Sequence, residues 1–199
     1  MKVLFRAALA VLTLFLSIAV AKDKGKDKDK SPGSVLHAEL IGFQEVPVVS
    51  TVATGEFHGV INPGDQSIDY TLTYSGLQGA TTQQAHIHIG QRNVNGGIVI
   101  WFCQSAAAPA PPGIPTVPQC TNGSGTFSGT ITSANVVAIS GGNVGQQVGA
   151  GEFSKVLTAI RAGKAYANVH TNLSTGGEIR GQIKVVRREG DDHDDEDED

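Results

Sequence analysis

The sequence predicts an all-β domain, an antiparallel sandwich or barrel, on three observations. Glycine is abundant, at 25 residues, while aromatic residues make up only 6% of the chain. Short runs alternate apolar and polar residues, the period of a half-buried strand. Clusters of Gly, Asn and Pro that suit tight turns break those runs. One core spanning residues 34–188, about 155 residues, has the size of a single domain.

Taken in order, Val35–Ile41 reads as a first strand with Leu36, Ala38 and Leu40 on one face. Residues 42–47 turn out of it, and Pro47 blocks a continuing central ladder. Thr54–Ile61 is a second strand, followed by the turn Asn62-Pro63-Gly64-Asp65. Residues 67–75 make a third, with Ile68, Tyr70, Leu72 and Tyr74 on one face, and the three form a meander. Residues 84–89 are a strand carrying His86 and His88, and 90–97 are a loop. The apolar run 98–102 is expected to cross the core. Residues 106–118, rich in Ala and Pro, read as an irregular excursion before a strand at Gly125–Ile131, and 133–150 show no clear period. Phe153, Val156, Leu157 and Ile160 recur at helical spacing and Gly163 stops the run, so 152–162 are a short amphipathic helix. It is expected to cover an open edge or end of the sheet. A polar hairpin closes the domain. Ala165, Ala167 and Val169 alternate with Tyr166, Asn168 and His170; then Ile179, Gly181 and Ile183 alternate with Arg180, Gln182 and Lys184.

The termini differ in kind from the domain. Lys2 and Arg6 precede an apolar run that ends Ala19-Val20-Ala21, which reads as a signal peptide, residues 1–21, removed on export. A retained anchor is the other reading, and the run is shorter than the roughly 20 residues a spanning helix needs. Residues 22–33 are a charged, flexible leader, and 189–199 (EGDDHDDEDED) an acidic tail expected to be disordered. That tail accounts for most of the formal charge of −4. Between them, eight Lys and Arg balance seven Asp and Glu. Without a basic patch, nucleic acid is excluded as a partner. A secreted or periplasmic location follows, with no transmembrane anchor after processing. An oxidising compartment and an even count predict a Cys103–Cys120 disulfide.

The histidines carry the chemical interest. His86 and His88 are two apart on a strand, so both imidazoles share a face and can converge on one ion. Neutral imidazole suits copper or zinc. A third ligand must come from another strand; His170 is the first choice, with His37 and His58 in reserve. The alternative is that these rings hydrogen-bond within a polar seam. Glu178 and Arg180 read either as an ion pair or as a carboxylate and its neighbour orienting a histidine. No Ser-His-Asp grouping and no phosphate-binding glycine loop is legible.

Three blocks resemble the CHRD domain, in its order and spacing. They are His37-Ala38-Glu39-Leu40-x-Gly42-x-Gln44-Glu45-Val46-Pro47, Ala85-His86-Ile87-His88-Ile89-Gly90, and Gly163-x-Ala165-Tyr166-x-Asn168-Val169-His170-Thr171 with Gly176-Gly177-Glu178-Ile179-Arg180-Gly181-Gln182. That domain recurs in chordin, an extracellular antagonist of growth-factor signals, and stands alone in many secreted bacterial proteins. The resemblance implies an immunoglobulin-like β-barrel and an extracytoplasmic setting. The near-neutral domain between charged tails and the absence of a catalytic triad point to a non-catalytic binding or structural module, whose partner would be an envelope or extracellular protein or glycan. A second resemblance is local. His86-x-His88 with a distant Asn168-Val169-His170 looks like the copper half of copper/zinc superoxide dismutase. It implies copper at His86, His88 and His170 and, as the alternative function, a copper- or zinc-dependent extracytoplasmic redox enzyme. No zinc-ligand set and no bridging fourth histidine accompanies it.

Overall fold

A computed structural model of the chain describes residues 34–186. The expected signal peptide, the charged leader and the acidic tail lie outside those residues. Nine strands and one α-helix are present among them: β1 (Val35–Ile41), β2 (Thr54–Ile61), β3 (Ile68–Ser75), β4 (Thr82–Ile89), β5 (Gly97–Cys103), β6 (Gly125–Ile131), α1 (Phe153–Arg161), β7 (Ala165–Thr171), β8 (Ile179–Gln182) and β9 (Lys184–Val186). All the strand pairings are antiparallel, and they join the strands into one sheet in the order β5-β4-β7-β8-β1-β2-β3-β6. The fold is all-β, a nearly closed barrel with one short helix.

β1, β2 and β3 form the expected meander, and β6 extends it along β3. β4 pairs β5 on one side and β7 on the other. The two halves are joined by β8 and β9. β8 pairs β7 and meets β1 at Ile41↔Arg180, while β9 pairs β1 from Val35 to His37. Ile183 interrupts this seam, is fully buried, and donates its backbone N–H to Ala165 O.

The end strands of the sheet, β5 and β6, are tied by the Cys103–Cys120 disulfide, which links the end of β5 to the chain entering β6. Phe102 of β5 reaches across the interior to Phe57 and Tyr70, with ring centroids 5.6 and 4.8 Å away. The core takes one face of each strand: Leu36, Ala38 and Leu40, then Phe57 and Ile61, Ile68 and Leu72, Ala85 and Ile87, and Ala165, Ala167 and Val169. α1 adds Phe153, Val156, Leu157 and Ile160 and packs against β4, β7 and β9. It therefore closes an end of the barrel. The free side of β5 is covered instead by the segment that carried no clear period, where Val137 N–H donates to Val99 O and Gln146 Oε1 accepts from Gly97 N–H.

The closing hairpin departs from its polar reading. Every residue of β7 and β8 is buried. Their apolar face meets the core, and alternation sends Tyr166, Asn168, His170, Arg180 and Gln182 to the opposite face. There the loops after β1 and β4 lie over them, so a polar layer is enclosed on the outside of the sheet.

Candidate metal centre

β4 and β7 place the histidines side by side. The register sets His86 against Asn168, His88 against Tyr166 and Gln84 against His170. The period of two keeps His86, His88 and His170 on the covered face, and each is less than 8% exposed. One nitrogen from each ring can be chosen so that all three lie within 4.8 Å of one another. Spacing had supplied the His86–His88 pair; antiparallel pairing brings His170 to it.

Hydrogen bonding fixes the rings. His88 Nδ1 lies 2.9 Å from Gly96 O, and His170 Nδ1 2.9 Å from Thr175 O. A carbonyl only accepts, so both Nδ1 atoms carry the proton and both Nε2 atoms present a bare lone pair. Those two Nε2 atoms are buried and have no hydrogen-bond partner, and neither ring nitrogen of His86 has one. Burial holds all three imidazoles neutral: it pushes His86 well below the ordinary value, lowers His170, and takes His88 to about 3. The neighbouring His170 and Arg180 depress His88 further, against the Gly96 hydrogen bond. A buried polar atom left unpaired costs about 1–3 kcal/mol, and of the four orphaned nitrogens a bound ion would relieve three, one from each ring.

Aromatic and charged groups pack around this set. Tyr166 stacks parallel on His88 with centroids 4.7 Å apart, and the Arg180 guanidinium lies 3.4 Å above the Tyr166 centroid. Gly96 clamps the stack, since its N–H donates to the Tyr166 hydroxyl while its carbonyl accepts from His88. A Cβ at Gly96 would run into Ile89 O. Trp101 of β5 meets His86 edge-on at 4.2 Å. His88 and Trp101 also line a groove of about 1060 Å³ whose other walls include Pro109, Pro112, Ile114 and Val137.

Glu178 and Arg180 are not paired with each other. Glu178 accepts from Thr51 and Thr171 hydroxyls and from Gln78 and Gly79 N–H, a hub that joins three loops. Burial alone would raise its carboxyl, and those four donors bring it below the usual value. Arg180 donates to Asn95 Oδ1, Gln91 O and Val94 O and pins the loop after β4. His37 and His58 lie apart from the buried set, opposite each other on β1 and β2.

Sequence reasoning missed Glu45, Asn168, Tyr166 and Trp101. Glu45, read as a turn residue, is 3% exposed, and its carboxyl is pushed up to about 7 by burial, against the pull of Arg180. Its Oε1 and Asn168 Oδ1 are both buried without a partner. Gly177, at φ +125°, lets the β7–β8 turn close over both, because a Cβ there would strike Glu45 Oε1 and come 2.9 Å from Asn168 Nδ2. Glu45, Asn168 and Gly177 all fall within the blocks that carried the family resemblance, which was the available signal.

Among the described residues no helix is long and apolar enough to cross a membrane. No curated protein and no solved structure matches the chain. The model of the CHRD domain matches residues 36–183, a span that holds all three buried histidines, both cysteines, Glu45 and the closing hairpin. At the level of the family this supports a binding or structural module. The chain belongs to the CHRD domain family.

Proposed function

We propose that this is an extracytoplasmic CHRD module, secreted or periplasmic, that holds one copper or zinc ion through His86, His88 and His170. The observation that carries the reading is the set of buried ring nitrogens without partners, two of them fixed as lone pairs by carbonyls on the far side of the ring. Backbone carbonyls commonly orient metal-ligating histidines in this way. Three neutral nitrogen donors without a carboxylate suit copper or zinc and do not suit calcium or magnesium. The ion would supply cross-linking between β4 and β7 and an open coordination position. Its partner is an envelope or extracellular protein or glycan, and the near-neutral domain argues against nucleic acid.

Loading with copper or zinc, followed by metal analysis, tests this on protein ending before the acidic tail, which can hold ions by itself. Close to one ion per chain is expected, lost with His86→Ala, His88→Ala or His170→Ala. Affinity no tighter than about 100 μM, roughly 5.5 kcal/mol, would make the histidines structural. A redox enzyme remains the second reading because His88 and Trp101 border the groove, which gives a small substrate room beside the set. Superoxide turnover by the copper-loaded protein, abolished with His170→Ala, is its test.

A further inference from the structure

We infer that the exposed face of β1 and β2 carries a second transition-metal site, made by His37, Glu56 and His58. It is separate from the buried set and takes a divalent ion that accepts imidazole and carboxylate together, zinc or copper(II). The register places His37 directly opposite His58 and Glu39 directly opposite Glu56, so two imidazoles and two carboxylates form a two-by-two block. Such cross-strand pairs hold their Cβ atoms roughly 5 Å apart. One ligand atom from each of His37, Glu56 and His58 lies within 4.8 Å of the others. A single carboxylate oxygen, Glu56 Oε1, faces His37 Nε2 at 3.0 Å and His58 Nε2 at 3.1 Å. The three donor atoms therefore already point at one another. Those two rings also lower the Glu56 carboxyl, which keeps it ionised and available as a ligand.

The block is short of positive charge. Like charges directly opposite on neighbouring strands repel. Among the described residues no Lys or Arg forms an ion pair with Glu39 or Glu56. Lys184 of β9 sits opposite His37 in the register without joining the cluster. A divalent cation supplies the missing charge. An ion would be taken by the Nε2 lone pair of each imidazole, in the tautomer that carries its proton on Nδ1. An open concavity bordered by His37, Glu39 and Glu56 leaves room for further water ligands.

The test is a zinc titration of the full mature chain at pH 7.5, followed residue by residue through the 15N and 1H resonances of the imidazole rings. This readout separates the site from the buried histidines and from the acidic tail. The expected result is that His37 and His58 shift together and saturate at one equivalent, with both rings reporting Nδ1–H. Glu56→Gln, a solvent-exposed change that the fold tolerates, should weaken that response by tenfold or more and leave the His86, His88 and His170 resonances unmoved. Rings of His37 and His58 that stay unmoved to millimolar zinc, or a shift in one without the other, would overturn the site. Equal affinity in Glu56→Gln would do so too.

Discussion

Glu178 is the residue whose loss should be felt furthest from its own position. Its two carboxylate oxygens accept from donors near residues 51, 78–79 and 171; the bonds from Gly79 and Thr171 are buried and those from Thr51 and Gln78 partly so. Glu178→Ala strands four donors at once. Each buried donor left unpaired costs about 1–3 kcal/mol, so a loss of at least about 3 kcal/mol is expected in urea unfolding. Glu178→Gln should recover part of it, since the amide oxygen still accepts while its NH₂ faces donors. The sequence showed Glu178 and Arg180 at the same spacing and suggested a pair, because i and i+2 on a strand share a face. What it did not show is that each finds denser company elsewhere. Glu178 meets loop N–H groups and Arg180 an aromatic face and three carbonyl-type oxygens, and neither set is written in local spacing.

At the scale of elements, alternation made β1, β2, β3 and β6 legible, because one side of each faces the core and the other water. The apolar period likewise marked α1. Ile160 is fully buried in that helix face, so Ile160→Ala should cost about 2–4 kcal/mol by the loss of apolar burial and the cavity left behind. The expected readout is a lower thermal midpoint. β7 and β8 were misread as a polar surface hairpin for a physical reason: burial on both faces ordinarily removes polar residues, and here the outer face keeps them because each hydrogen-bonds or stacks under a loop. The segment 133–150 was unreadable because it contributes short 3-10 turns and edge hydrogen bonds along β5, which leave no period. His86-x-His88 was legible as a pair, but its third member depends on strand pairing.

For the molecule as a whole, acid is the discriminating variable. In metal-free protein the three buried histidines have folded values below the unfolded 6.5. Their penalty is absent above about pH 6.5 and grows as pH falls, since only the unfolded chain takes up protons. Glu45 runs the other way. Its folded value of about 7 exceeds the unfolded 4.5, so its contribution is complete below 4.5 and lost as pH rises through 7. Between about 4.5 and 6.5 as many as three protons oppose one. Each net proton is worth about 1.4 kcal/mol per pH unit. Stability of the metal-free protein should therefore climb from pH 5 to pH 6.5, by up to about 3 kcal/mol per unit. A flat urea midpoint over that range would contradict the burial of the set. The disulfide adds a second whole-molecule term, since its 17-residue separation predicts a loss of about 3 kcal/mol on reduction. The difference between urea midpoints with and without reductant measures it.

Trp101, the single tryptophan of the chain, stands edge-on to His86 with 4.2 Å between ring centroids. The protein thus contains one indole fluorophore, placed against the proposed ion. Copper(II) has an unfilled d shell and drains an excited indole at such range, whereas zinc, with a filled d shell, has no low-lying state to accept the energy. Copper(II) should darken the emission in step with occupancy, zinc should leave most of its intensity, and His86→Ala should uncouple the signal from the metal. Titration in a cuvette would then report which ion the buried histidines hold.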